Sequence, residues 1–408
     1  MRDKDNRVAV REEKSGMAGI AAEGRPRKVG IVTFNDAFNY GAFLQEYALQ
    51  HFLRSRGYEA DVIRYRNRKF EQEYQYRNHL FRCGGIGKSL RNLYNILFRP
   101  KVYAARCRKI RKFLACIRRE IVFSKAFEGN EERLEDSYDC FIAGSDQIWN
   151  LSLTGYDGYY FLDFVRQDEK KLSYAASLGK TKLDERDTHI LETYLKNFQC
   201  ILVREKSGQE FLEHKCGIHS RVTIDPTFFM GAARWASFAG KSELAKKQRA
   251  GGERKYVLIY VVAEPAGLYE TALRYADERG YDVNVLGLYR DIIIGERRLH
   301  TVIDADPYDF VFYILNAEAV FTTSFHGTIL SIQLKRPFFY ELGNGKKGGD
   351  TRIQEITERL GLQNREISSL RVEDTEINWG YVTKQLDRMT EESKAYLMEA
   401  LKAPSAGA

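Results

Sequence analysis

Nowhere in the 408 residues do 18 uncharged apolar residues run together, and residues 1–27 are polar, charged and small, without the apolar stretch a secretory leader needs. These absences predict a chain that neither spans a membrane nor follows a secretory route. The six cysteines, at 83, 107, 116, 140, 200 and 216, form no Cys-x-x-Cys pair. A reduced, cytoplasmic protein is expected. None of the seven histidines stands in a His-Glu-x-x-His spacing, so zinc has no sequence support. With only 7 prolines, 44% apolar residues and 29% charged ones, the composition excludes a largely disordered chain and fits a mixed α/β enzyme. The length exceeds what one core usually serves, which predicts two domains.

The charge is unevenly placed. From Arg64 to Arg119 there are 17 Lys/Arg against Glu71 and Glu73, a local +15 that leaves −7 for the rest of a chain whose net charge is +8. Within it, Ile110, Phe113, Leu114, Ile117 and Ile121 keep helical spacing, and Arg106, Arg108, Lys109, Arg111, Lys112, Arg118 and Arg119 fill the other faces. A basic amphipathic helix starting after Pro100 is predicted. It is read either as a solvated helix packed on its own domain or as a contact for an anionic membrane surface through residues 64–119. Nucleic acid is an unlikely partner, because no recognition module accompanies the charge.

Outside this segment apolar strands and amphipathic helices alternate. After an arm at 1–27 expected to be disordered come strands at 27–34, 58–66, 138–144, 171–177, 200–205 and 221–225, with helices at 41–57 and 184–198 and a short one through Phe211. The segment 68–130 interrupts them as a helical insertion. A polar stretch at 240–255 reads as a linker. Strands at 256–262, 281–288, 318–324 and 337–342 then alternate with helices at 267–279, 307–316, 327–335 and 351–360, before a last helix at 381–401. This predicts an N-terminal α/β domain over 28–240, a second over 255–380 and a C-terminal helix and tail over 381–408. Two doubly wound Rossmann-like domains would then face each other, with ligands held beyond the carboxyl ends of their strands.

Five strand-end turns become candidates. In "FNDAFNYGAF" (34–43), Asn39 and Gly41 open a helix whose free N–H groups favour an anion, or simply cap it. In "IAGSDQIWN" (142–150), Gly144 and Ser145 make a sharp turn. Asp146 there can accept a proton from a sugar hydroxyl and Trp149 can stack on a sugar, or the two are a turn aspartate and a core tryptophan. In "LVREKSG" (202–208), Arg204 ends a strand where a guanidinium can grip a carboxylate or phosphate. Asp225 in "TIDPTFF" positions ligand or caps the turn. In "TTSFHGTIL" (322–330), His326 directly precedes Gly327 just past a strand, so it is expected in the interdomain crevice.

Taken in order, "NYGAFLQEYAL", "FIAGSDQIWN", "LSYAASLG", "LVRE", "IDPTF" and "TTSFHG" resemble the polysaccharide pyruvyl transferase family over residues 28–342, the insertion apart. The resemblance implies a two-domain GT-B-like fold and transfer of a pyruvyl group from phosphoenolpyruvate to two hydroxyls of a sugar as a cyclic ketal, in cell-envelope or exopolysaccharide synthesis. It implies phosphoenolpyruvate as co-substrate and no cofactor. It makes His326 the acid and Arg204 the anion clamp, Asp146 or Glu205 the acceptor of the sugar proton, and Asn39, Gly41, Gly144, Ser145, Asp225, Ser324, Gly327 and Arg352 substrate-binding residues. The acceptor is a saccharide, in one reading lipid-linked and reached at the inner membrane face. The sequence departs from the family pattern at one place. Relatives often carry Arg-Leu-His-Gly where this chain has Ser324, Phe325, His326 and Gly327, which leaves Lys335, Arg336, Lys346, Lys347 or Arg352 to supply the second cation. The alternatives are a nucleotide-sugar glycosyltransferase and a non-catalytic membrane-associated partner.

Overall fold

The computed structural model describes residues 27–65 except 36, then 98, 100–125, 134–179, 183–248, 254–287, 292–294, 297–342, 351–369 and 376–402. The expected arm at 1–26, most of the insertion before residue 98 and the 343–350 loop with Lys346 and Lys347 lie outside these residues. The first unit runs β1 (Lys28–Val32), α1 (Tyr40–Ser55), β2 (Glu59–Val62), α2 (Pro100–Glu120), β3 (Cys140–Ala143), β4 (Lys171–Ser173), α3 (Glu185–Leu195), β5 (Leu202–Val203), α4 (Lys206–Cys216) and β6 (Arg221–Val222). Its strands are parallel in the order β2-β1-β3-β4, and bridges at Leu172–Cys200 and Ala176–Val203 extend the sheet through β5 to β6. Val29, Ile31 and Val32 are fully buried, as a strand covered on both faces requires.

After α5 (Gly231–Ala239) and α6 (Glu243–Gln248), the second unit runs β7 (Tyr256–Tyr260), α7 (Leu268–Asp277), β8 (Asp282–Leu286), β9 (Ile292–Ile294), β10 (Arg297–Val302), α8 (Pro307–Asn316), β11 (Ala319–Thr322), α9 (Phe325–Gln333), β12 (Phe338–Tyr340) and α10 (Thr351–Arg359), before α11 (Trp379–Lys402). The order is β12-β11-β7-β8-β10-β9, parallel except for β9. The fold is therefore α/β with two doubly wound parallel sheets. Among the described residues no helix is long and apolar enough to cross a membrane.

Tertiary packing alters three sequence expectations. The linker at 240–255 contains α6, and the polar stretch 289–306 contains β9 and β10, which hydrophobic alternation did not reveal. The 28–240 and 381–408 boundaries are blurred, because α5 packs on α8 and Trp235 bonds Gln333, and α11 returns to the first unit through Ser393 Oγ, which accepts from Ile224 N at 3.1 Å. Helix α1 was read as one-sided and is buried nearly all round, because it lies between the units. Its polar side chains are accommodated by bonds: Gln50 donates to Ala60 O (3.1 Å) and accepts from Val122 N (2.9 Å), and Gln45 donates to Thr33 Oγ1 (2.9 Å).

The basic helix also changes meaning. α2 buries Ala105, Lys109, Phe113 and Cys116, so Lys109, expected on a wet face, lies instead with its ammonium 4.6 Å from the Tyr40 ring. Burial first, and Arg106 second, push its pKa down to about 8. Arg108 pairs with Asp304 at 2.9 Å, and Lys112 with Asp306 (3.9 Å) and Asp309. Part of the insertion's charge is thus spent bolting the second unit to the first.

Candidate active site

In a doubly wound sheet the crevice opens where strand order reverses. The reversal lies between β1 and β3 in the first sheet and between β7 and β11 in the second. The loops leaving those four strands carry Asn39, Asp146, Val262 and His326, and all four line one cleft of about 230 Å³ together with Ser324 and Arg352. Topology alone therefore brings these distant sequence positions to one wall.

Each residue is held by local chemistry. Asn39 caps α1, its Oδ1 accepting from Gly41 N (2.8 Å) and Ala42 N (3.2 Å). Gly41 is needed for close approach: a Cβ there would lie 2.1 Å from His326 Nδ1. Gly144 (φ 135°) and Asp146 (φ 80°) carry the chain over Tyr174, whose carbonyl leaves a Cβ on Gly144 only 2.1 Å. Ser324 caps α9 by accepting from Gly327 N at 3.3 Å. Gly327 is a packing residue beneath the site, a Cβ there standing 2.6 Å from Thr322 Oγ1.

Behind the wall lies a buried charge cluster. Asp225 Oδ2 is 3.0 Å from Arg204 Nη1 and 3.5 Å from His326 Nε2, and Ser145 Oγ donates to it at 3.5 Å. Asp225 Oδ1 accepts from Thr227 N (3.0 Å) and Thr227 Oγ1 (2.7 Å), so the residue both caps the turn and orients the imidazole. Burial would raise the Asp225 pKa, but the His326 hydrogen bond and charge, Arg204 and the Thr227 N–H outweigh it and hold the carboxyl well below the usual range. Glu205 accepts from Ser177 Oγ. Its pKa is raised because desolvation outweighs Arg204, Ser177 and Arg352. With Asp225 on Nε2, Nδ1 is the ring nitrogen against the first turn of α1 at the cleft wall.

The structure separates the expected residues into two shells. Asn39, Asp146, Ser324, His326 and Arg352 line the cleft, and Gly41 and Gly144 shape its backbone. Ser145, Arg204, Glu205 and Asp225 are buried behind it, so Arg204, read as the clamp, is already paired with Asp225. Of the alternative cations, Arg352 reaches the cleft, whereas Lys335 and Arg336 follow the far end of α9. Trp149 does not offer its face to a sugar: it is 1% exposed, stacks on Phe161 and donates to Tyr160 O at 3.1 Å.

Three contributors escaped sequence reasoning. Gln147, with its amide oriented so that the carbonyl faces Arg352, accepts from both Nη1 and Nη2 at 2.8 Å. The Phe325 ring has Arg204 Cζ 4.8 Å and Arg352 Cζ 5.3 Å from its centre. Glu355 accepts from Lys206 N (2.7 Å) and Ser207 N (3.2 Å), filling the N-terminus of α4 and anchoring α10 to the first unit. Only the adjacency of Phe325 to His326 could have signalled any of these. Among the described residues no group of three or more His, Cys, Asp or Glu is placed to hold a metal.

A cleft at the switch points of two parallel sheets, walled by an imidazole, a carboxylate and a guanidinium, is where doubly wound α/β proteins hold their ligands. The sequence pattern of the polysaccharide pyruvyl transferases matches residues 39–340, and the chain belongs to that family. No curated protein matches it. Among solved structures it is similar to UDP-GlcNAc 2-epimerase from Neisseria meningitidis (12% identity, TM-score 0.44, 92% of this chain and 94% of that one). It is similar also to that of Methanocaldococcus jannaschii (10%, 0.42, 93% and 100%) and to Escherichia coli ADP-heptose LPS heptosyltransferase II (12%, 0.36, 91% and 99%).

Proposed function

We propose that the protein transfers the pyruvyl group of phosphoenolpyruvate to two hydroxyls of a sugar acceptor, forming a ketal in envelope or exopolysaccharide synthesis. The observation that supports this reading most is the convergence of His326, Asp146 and Arg352, from three separate segments, on one cleft. In the proposed reaction His326 gives a proton to the methylene carbon of the enol phosphate. A sugar hydroxyl adds to the adjacent carbon and its proton passes to Asp146. The second hydroxyl then forms its bond to that carbon as the C–O bond to phosphate breaks, and its proton leaves with phosphate. Arg352 holds the donor's anionic oxygens. Asp225 acts on the ring and not on substrate, and Glu205 lies too deep to take the hydroxyl proton.

Phosphate release from phosphoenolpyruvate with lipid-linked and nucleotide-activated sugars tests this. Release with at least one acceptor is expected, together with thermal stabilisation by phosphoenolpyruvate alone. Stabilisation by UDP or GDP and not by phosphoenolpyruvate would transfer the site to glycosyl transfer. Absence of any ligand effect from a folded protein would leave the non-catalytic alternative.

The membrane contact belongs, in this reading, to the outer face of α2. Lys101, Arg111, Arg118 and Arg119 are exposed there and have no acidic partner among the described residues, and Phe98 (69% exposed) and Val122 (42%) flank the helix. Flotation with vesicles containing phosphatidylglycerol is expected to carry the protein, and Arg111→Glu/Arg118→Glu/Arg119→Glu to reduce the bound fraction about tenfold. Equal flotation of wild type and variant rejects the assignment.

A further inference from the structure

We propose that Phe325 is a positioning residue that holds Arg352 as the anion-binding fork of the cleft, replacing the arginine missing at Ser324. The identity of the anion rests on the phosphoenolpyruvate reading, but the geometry does not.

Arg204 cannot serve as that fork. Its side chain is 3% exposed and is tied to Asp225 at 3.0 Å, with Asp146 at 3.8 Å and Glu205 at 3.6 Å. Arg352 is the guanidinium that lines the cleft, 3.9 Å from Asp146 Oδ1 and with both Nη atoms on the single carbonyl oxygen of Gln147. A neutral carbonyl oxygen accepting both arms of a guanidinium occupies the seat that an oxyanion fills with stronger, charge-assisted bonds. The site therefore suits a carboxylate or phosphate that presents two oxygens in the plane of the fork.

Two guanidiniums beside one ring repel each other. The electron density of one ring answers that repulsion, since Phe325 is 5% exposed and has both Cζ atoms within 5.3 Å of its centre. A leucine at this position offers no such face. Asp146 supplies the matching negative charge to both arginines, and α10 is pinned through Glu355 on α4 and through buried Ile353 and Ile356. Arg352 is thereby fixed at root and head. Ser324 is left to cap α9, a service an arginine there could not give.

Calorimetric titration of the full-length protein with phosphoenolpyruvate, pyruvate and inorganic phosphate tests the proposal. Phe325→Leu is expected to weaken phosphoenolpyruvate binding about tenfold, Phe325→Tyr to stay within about twofold, and Phe325→Leu to add little to Arg352→Lys. Tighter binding of pyruvate than phosphate assigns the fork to the carboxylate end, and the reverse to the phosphate end. Wild-type affinity in Phe325→Leu, or full additivity of the two variants, overturns the proposal. If the wild type binds none of the three, the donor reading falls, and a melting-temperature cycle over the same variants decides this one: non-additive shifts uphold it and additive shifts reject it.

Discussion

Two clusters of carboxylates and cations lie between the halves of this molecule, and they are finished to different degrees. At the seam of α2 and α8, Asp306 Oδ1 accepts from Asp309 N (2.9 Å), Asp309 Oδ2 from Asp306 N (3.2 Å), and Asp309 Oδ1 from Ser242 Oγ (2.5 Å), with Lys112 closing the group. Behind the cleft, Arg204 Nε and Nη2 and Glu205 Oε2 are buried without a hydrogen-bond partner among the described residues, and His326 Nε2 faces Asp225 Oδ2 at the long distance of 3.5 Å. Buried polar groups are normally satisfied, so a cluster that keeps several incomplete marks a candidate functional site. The seam is a closed fastener, and the cluster behind the cleft is not closed.

The sharpest way to break this contrast is at His326. His326→Ala is expected to lower phosphate release by 10²–10⁴-fold, on the order that one acid–base group contributes, with a melting temperature close to wild type. Gly41→Ala should cost about 10²-fold, because its Cβ would occupy the space of Nδ1 while alanine suits the helix; unchanged turnover would show that the ring position is not critical. At the seam the effects should fall on stability instead. Lys112→Met leaves Asp309 buried without its cation and is expected to cost about 2 kcal/mol in urea unfolding, with turnover per folded molecule unchanged. The smallest effect concerns pH. Burial, then repulsion by Asp309, raise the Asp306 pKa from 3.8 to about 6. The folded state thus holds this proton more tightly, and the stability it brings is complete below the unfolded value and lost as the pH rises through about 6. Asp306→Asn should flatten the fall in melting temperature between pH 4.5 and 7 by about 2 °C, and an unaltered slope would remove Asp306 as its source.

Much of the fold was legible because its signals are local. Buried parallel strands such as "VLIY" and the Asn39 cap declare themselves within a few residues, and most elements lie within a few positions of the predicted ones. β10 was not legible: "RRLHTV" lacks an apolar run and becomes a strand by pairing with β8. In the site, His326 and Asp146 could be found because each follows an apolar strand. Arg352, expected among the substrate-binding residues but as one of five candidates for the second cation, was singled out by where α10 lies, and Phe325 by the two guanidiniums around it.

The sequence by itself determined the alternation of elements, the family, and the short motifs that put an imidazole and a carboxylate at strand ends, since each depends on contacts between near neighbours. Only the tertiary structure decided which of those groups face solvent and which are spent on each other. That Trp149 is core, that Arg204 is consumed by Asp225, and that Lys112 fastens the domains follow from pairings across 11 to 197 residues of chain. Burial and charge compensation at that range are set by where the sheets bring the chain together, which no local pattern records.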